Sequence, residues 1–200
     1  MADTFHTIAA PSEGIYREKM SRFLAFATPV TNADEAKAVV KEFAKKYFDA
    51  RHVCWAYMIG ADRKEFQSND NGEPSGTAGK PILGQINSFG LTNVVIVVVR
   101  YFGGIKLGTS GLIVAYREAA KEALQAAEII ECHEETRITF TFPYLAMNDV
   151  MKAVKSQDIR IIRQEFDNSC LMEIAVRSDF TAALSARIGD IDGVSLIQPD

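Results

Sequence analysis

Two glycine-rich, charge-bearing segments, DNGEPSGTAGKP (70–81) and RYFGGIKLGTSG (100–111), flank one intensely apolar run, VVIVVV (94–99). The apolar run reads as the core of a central strand over 91–102, far too short to span a bilayer. Glycine is entropically costly unless the backbone must bend tightly or approach something closely. Seven glycines nevertheless crowd beside this one strand: Gly72, Gly76, Gly79, Gly103, Gly104, Gly108 and Gly111. Loops of this kind on a rigid strand are where binding groups concentrate. The stretch therefore locates a function more firmly than it names a reaction.

The rest of the chain alternates strands and helices. Tyr16–Thr28 reads as strand-rich up to a proline stop, and 33–50 as a helix. Its apolar stripe comprises Val39, Phe43 and Tyr47 beside Val40, Ala44 and Phe48, with Asn32 and Glu35 as a capping pair. HVCWAYMIG (52–60) reads as a strand buried on both faces, and KEFQS (64–68) as its hairpin partner. Helices are predicted over 80–89 and 112–127, the second alanine-rich and so packed close against a sheet.

Beyond Glu131 the pattern restarts. A strand at 136–144, a helix at 146–156, a hairpin of 159–166 and 170–177 across Asp167-Asn168, a helix at 180–188 and a strand at 193–199 follow in turn. That β-α-β-β-α-β order is the ferredoxin-like plan. The expected organisation is α+β in two domains, 1–132 with the glycine-rich loops and 135–200 ferredoxin-like.

Charge separates these parts. Residues 1–132 carry 15 Lys+Arg against 15 Asp+Glu, and residues 133–200 carry 7 against 11. With no global basic field, any RNA contact has to be local, and no DNA specificity is expected. Cys54, Cys132 and Cys170 are distant and odd in number, which fits free thiols in a reducing cytoplasm. The N-terminus lacks the basic head and apolar core of a secretory signal, so a cytoplasmic protein without membrane attachment is expected.

Several motifs fall short of familiar chemistry. The first loop fails as a nucleotide-binding P-loop because Pro74 and Pro81 occupy positions that need glycine and Ser/Thr. It reads either as a structured turn capped by Asp70 and Asn71, or as a polar cluster of Asp70, Glu73, Thr77 and Lys80 at the head of a helix. The second loop leads from a strand into a helix, where small residues let N–H groups face an anion. Arg100 and Lys106 would supply countercharge there, Tyr101 or Phe102 a stacking surface, and Gly103, Gly104, Gly108 and Thr109 close backbone approach. His52 sits at a strand edge as a hydrogen-bonding member of the same patch. Its neighbour two residues on, Cys54, reads as a buried structural thiol because no carboxylate is placed to orient a Cys–His pair. No metal site or cofactor is expected from His6 or His133.

DARHVCWAY (49–57), SNDNGEPSGTAGKPIL (68–83), NVVIVVVRYFGGIKLGTSGL (93–112) and AYREA (115–119) together resemble the IMPACT family in its bacterial branch. Three positions depart from the family pattern. Asn71 replaces an aspartate of Asp-Asp-Gly-Glu, Ser110 a glycine, and Val114 an arginine before Ala-Tyr, so one basic group is missing. The resemblance implies an N-terminal domain with the ribosomal-protein-like β-α fold of elongation factor G domain four and the GHMP kinases. It also implies a ferredoxin-like C-terminal domain. Eukaryotic relatives regulate translation under amino-acid starvation, and bacterial relatives are regarded as ribosome- or RNA-associated.

The favoured reading is a non-enzymatic translation-associated protein that docks RNA phosphate or a ribosomal surface. One alternative is an enzyme for a phosphorylated or peptide-like substrate, with Asp70 or Glu73 as acid–base and Lys80 stabilising charge. The other is a protein–protein adaptor acting through the acidic C-terminal domain.

Overall fold

Residues 4–155, 159–167 and 169–197 are described by a computed structural model. The chain divides into two compact units, Met1–Cys132 and His133–Asp200. The architecture is α+β throughout.

The first unit is built on a five-stranded antiparallel sheet. Its strands are β2 (Ser12–Glu18), β3 (Ser21–Pro29), β4 (His52–Ile59), β5 (Glu65–Asn69) and β6 (Val94–Tyr101), in the order β2-β3-β6-β4-β5. VVIVVV is thus the middle strand, fully buried on both faces. Val94, Ile96 and Val98 pack beneath α2 (Gly79–Ser88) and α3 (Gly108–Gln125), while Val95, Val97 and Val99 pack against α1 (Ala33–Lys46). β-branched residues suit a pleated surface covered on both sides.

α1 is capped as expected: the Asn32 side chain accepts from the Glu35 N–H at 2.9 Å, and Glu35 accepts from the Thr31 N–H at 2.7 Å. Asn32→Ala should cost about 1 kcal/mol, measured by urea unfolding, whereas no change would mean the cap is replaced by water. Phe48, placed on the apolar stripe by the sequence pattern, is 85% exposed because α1 stops at Lys46.

α3 fits the sheet through small residues. Ala115, Ala119, Ala120 and Ala123 are buried, and a Cβ on Gly14 of β2 would lie 2.3 Å from the Ala123 nitrogen. The Ser12 hydroxyl also donates to the Ala123 carbonyl at 2.7 Å. α3 begins four residues before the predicted Leu112, so Gly108–Gly111 belong to its first turn and not to a loop. A second small sheet, β1 (Thr4–Ile8) with β7 (Ile129–His133), has no counterpart in the sequence pattern.

The second unit contains β8 (Glu135–Phe142), α4 (Met147–Val154), β9 (Ile159–Phe166), β10 (Cys170–Arg177), α5 (Thr181–Gly189) and β11 (Ser195–Ile197). The sheet order is β11-β8-β10-β9 and every pairing is antiparallel, which is the ferredoxin-like topology. Ile138, Phe140 and Phe142 alternate with outward residues on β8, as do Met172, Ile174 and Val176 on β10. They bury one face against Val150, Leu184 and Ile188 of the two helices. Parts of three sequence expectations, at Ser156, Asn168 and 198–199, lie outside the described residues.

Candidate functional site

Alternation along β6 decides what its last residues do. Arg100 falls on the α3 side of the sheet, in register with His52 on β4 and Phe23 on β3. Its guanidinium lies 5.6 Å from the ring centres of both Phe23 and Phe102. Glu73 meets it from the first glycine-rich loop, with Nη1 to Oε1 at 2.6 Å and both side chains buried. The same Oε1 accepts from the Tyr116 hydroxyl of α3 at 2.7 Å. A buried polar knot thereby ties the end of β6, the first loop and α3 together.

The first loop is held from beneath by Asp70. Its Oδ2 accepts from the Gly76 N–H at 2.8 Å, and its Oδ1 from the N–H groups of Ala78 at 3.0 Å and Gly79 at 2.8 Å. Burial opposes ionisation of Asp70, but those N–H groups and the nearby Lys80 charge outweigh it and hold the carboxyl below its usual range. Asn71 pins the loop to β4, accepting from the Val53 N–H at 3.0 Å.

Between the loops lies a cleft of about 400 Å³, lined by Arg51, His52, Glu73, Pro74, Arg100, Phe102, Lys106, Leu107, Gly108, Thr109 and Leu112. Both glycine-rich segments contribute to it at one end of the sheet. His52 Nδ1 lies 2.9 Å from the Asn71 carbonyl oxygen, which only accepts. In the neutral ring Nδ1 therefore carries the proton and Nε2 is the bare nitrogen. Arg51 and Lys106 are exposed, and neither has an ion-pair partner among the described residues. α3 starts here at Leu107–Gly108 without a side-chain cap.

The sequence-predicted residues divide sharply. His52, Glu73, Arg100, Lys106, Gly108 and Thr109 meet in the cleft. Arg100 does not stand free as an anion contact, because Glu73 answers its charge. Tyr101 points to the opposite face, toward α1, where its hydroxyl donates to Asp49 at 2.8 Å, so the aromatic at the cleft is Phe102. Thr77 is buried and donates to the Pro74 carbonyl at 2.6 Å, closing a turn instead of facing a ligand. Asp70 caps the loop, the first of its two sequence readings. Lys80 is exposed beside Asp70 and does not line the cleft. A Cβ on Gly103 would sit 2.1 Å from the Met20 carbonyl carbon, so that glycine lets the β2–β3 turn approach. Gly104 lies in the loop between Phe102 and Lys106 with φ +89°.

Sequence reasoning missed Arg51, Leu107 and Tyr116. Tyr116 carried a signal: a tyrosine on an otherwise alanine-rich buried stripe needs a hydroxyl partner. Cys54 lies beneath the knot, 3.0 Å from the Asp70 carbonyl and 3.3 Å from the Tyr116 hydroxyl. Burial pushes its thiol up to about 12, against the relief of the Tyr116 hydrogen bond. Alkylation of the folded protein at pH 7.5 should therefore leave Cys54 unmodified by peptide mass spectrometry, and modification at a free-thiol rate would show the knot to be open. Burial raises the Tyr116 hydroxyl further still, as do Cys54 and Glu73.

Chemically, the cleft offers two solvent-facing cations, a histidine with one free nitrogen, a helix N-terminus and an apolar wall. Its single carboxylate is engaged by Arg100 and Tyr116, leaving it poorly placed for acid–base work. Among the described residues no three His, Cys, Asp or Glu side chains gather as a metal site, and no helix is long and apolar enough to cross a membrane.

The Impact N-terminal domain profile matches residues 19–124, which include both loops and the cleft. The IMPACT family member YigZ of Escherichia coli (strain K12) is 34% identical over 190 residues, covering 94% of this chain and 93% of that protein. The IMPACT family member YvyE of Bacillus subtilis (strain 168) is 37% identical over 131 residues, 66% of this chain and 60% of its own length. A solved structure described as a hypothetical protein superposes with a TM-score of 0.78 at 31% identity, covering 100% of this chain and 99% of that one.

Proposed function

The chain belongs to the IMPACT family, and on that premise we propose that it is a non-enzymatic, cytoplasmic protein acting on translation, which docks ribosomal or other RNA phosphate in the cleft between its glycine-rich loops. Residues 1–132 carry this role. Arg51 and Lys106 contact phosphate, the α3 N-terminus and Thr109 add hydrogen-bond donors, and His52 borders them. The observation that carries the reading is that Arg51 and Lys106, neither with an ion-pair partner among the described residues, line one cleft beside the first turn of α3, in a unit whose total charge is zero. Against such a background the attraction is local and short-ranged, as docking on a defined anionic site requires. The enzyme reading is disfavoured because Glu73 is neutralised by Arg100 and Asp70 is committed to backbone N–H groups.

Sedimentation with ribosomes tests this. Wild type should co-sediment at low salt and release as salt rises, with an Arg51→Ala/Lys106→Ala double variant recovered less well. Both side chains are exposed, so the variant keeps its fold. Equal recovery of the two proteins, or none of either with ribosomes and with total RNA, removes the proposal.

A further inference from the structure

Resting on that reading, we propose that the cleft takes one unpaired nucleotide of single-stranded RNA, its base against Phe102 and its phosphate at Lys106, Arg51 and the first turn of α3. The cleft is two-sided in character. Pro74, Phe102, Leu107 and Leu112 form apolar surface, and Arg51, His52 and Lys106 supply polar and cationic groups. A bare phosphate needs only the second set. A flat, partly apolar group joined to an anion uses both, and that is the chemistry of a nucleotide.

Phe102 is 51% exposed although it borders the buried knot. The guanidinium of Arg100 stands 5.6 Å from its ring centre. Arg100 thereby steadies an aromatic surface that remains half open to solvent. Arg100 itself is 7% exposed and lines the cleft, and its Nε has no hydrogen-bond partner among the described residues. That nitrogen is closed off from solvent, so Arg100 serves the cleft as support for the Phe102 ring and not as a ligand contact. Gly108 and Thr109, in the first turn of α3, line the same space.

Size selects the strand state. A space of about 400 Å³ suits a small ligand. An RNA duplex keeps its bases stacked inside and offers a convex row of phosphates, so it cannot place a base in this concavity. An unpaired nucleotide, in a loop or at an end, can.

Fluorescence anisotropy of the full-length protein with a labelled single-stranded RNA ten-mer, and with the same sequence as a blunt duplex, tests the assignment. The single strand should bind at least tenfold more tightly. Phe102→Ala should weaken it roughly 5- to 100-fold and Phe102→Trp should restore it. Lys106→Ala should reduce the slope of log affinity against log salt by about one. Equal binding of both RNAs, or a Phe102→Ala affinity matching wild type, overturns the nucleotide assignment and leaves the phosphate-docking reading standing. Absence of binding to either RNA and to ribosomes overturns both.

Discussion

Replacing Glu73 with alanine is expected to destabilise the first unit by about 3–5 kcal/mol, the largest effect of any single change at the site. Glu73 Oε1 accepts from two buried donors at once, Arg100 Nη1 at 2.6 Å and the Tyr116 hydroxyl at 2.7 Å. Removing the carboxylate leaves a guanidinium without a counterion between Phe23 and Phe102, and a phenol without an acceptor. Each is costly, because an unsatisfied buried group loses its hydration and gains nothing in exchange. Arg100→Ala should cost less, since the stranded Glu73 carboxylate then keeps the Tyr116 hydroxyl as a donor and no second group is orphaned. Replacing the pair together by apolar residues, Glu73→Leu with Arg100→Met, should recover the part of the loss due to the stranded guanidinium, because a buried ion pair is worth little against well-packed hydrophobic side chains, while the Tyr116 hydroxyl still lacks its acceptor. Urea unfolding of the four proteins compares these losses directly. Loss below about 1 kcal/mol in Glu73→Ala, in the range of exposed pairs, would show that water reaches the pair.

The same knot marks where sequence reasoning stops. Local pattern suffices where the physics is local: VVIVVV reads as a central strand, Asn32 and Glu35 as a cap, and KEFQS as the β4 partner. All of these are visible because their determinants lie within a few residues. β1 and β7 are invisible for the opposite reason. Each is five residues long, and their pairing joins segments more than a hundred residues apart. Glu73 looks like an exposed turn residue until Arg100, 27 positions later, folds onto it. Tyr101 is a different case. Strand alternation already puts it opposite Arg100, and only its proximity in sequence made it, like Phe102, a candidate stacking surface. The glycines of 108–111 read as loop because glycine is a poor helix former, yet they form the first turn of α3, where the helix borders the cleft. In the second unit the element order alone identifies the ferredoxin-like topology, since each sheet neighbour follows from the β-α-β-β-α-β connection.

Asp70→Ala should cost about 2–3 kcal/mol and should loosen the first loop more than the sheet. One carboxylate holds three N–H groups, at Gly76, Ala78 and Gly79, and so sets both the turn and the entry into α2. Alanine leaves those donors to water and frees the segment that carries Glu73. The penalty depends on pH in a definite sense. Burial alone would raise the Asp70 pKa, but the three N–H groups and Lys80 prevail, so the folded state favours the ionised form. A carboxyl with a lowered folded-state pKa contributes its full stabilisation above its unfolded value of about 3.9. That contribution fades as pH falls through the lower folded value. The stability gap between wild type and Asp70→Asn should therefore be widest near neutrality and shrink below about pH 4, read from thermal unfolding at pH 7, 4 and 3. Hydrogen exchange should show faster opening at Gly76–Gly79 in the variant, with β6 amides unchanged. A gap that stays constant across this range would mean the three N–H groups do not depend on the Asp70 charge, and the loop would then be held by Asn71 and the Glu73 knot alone.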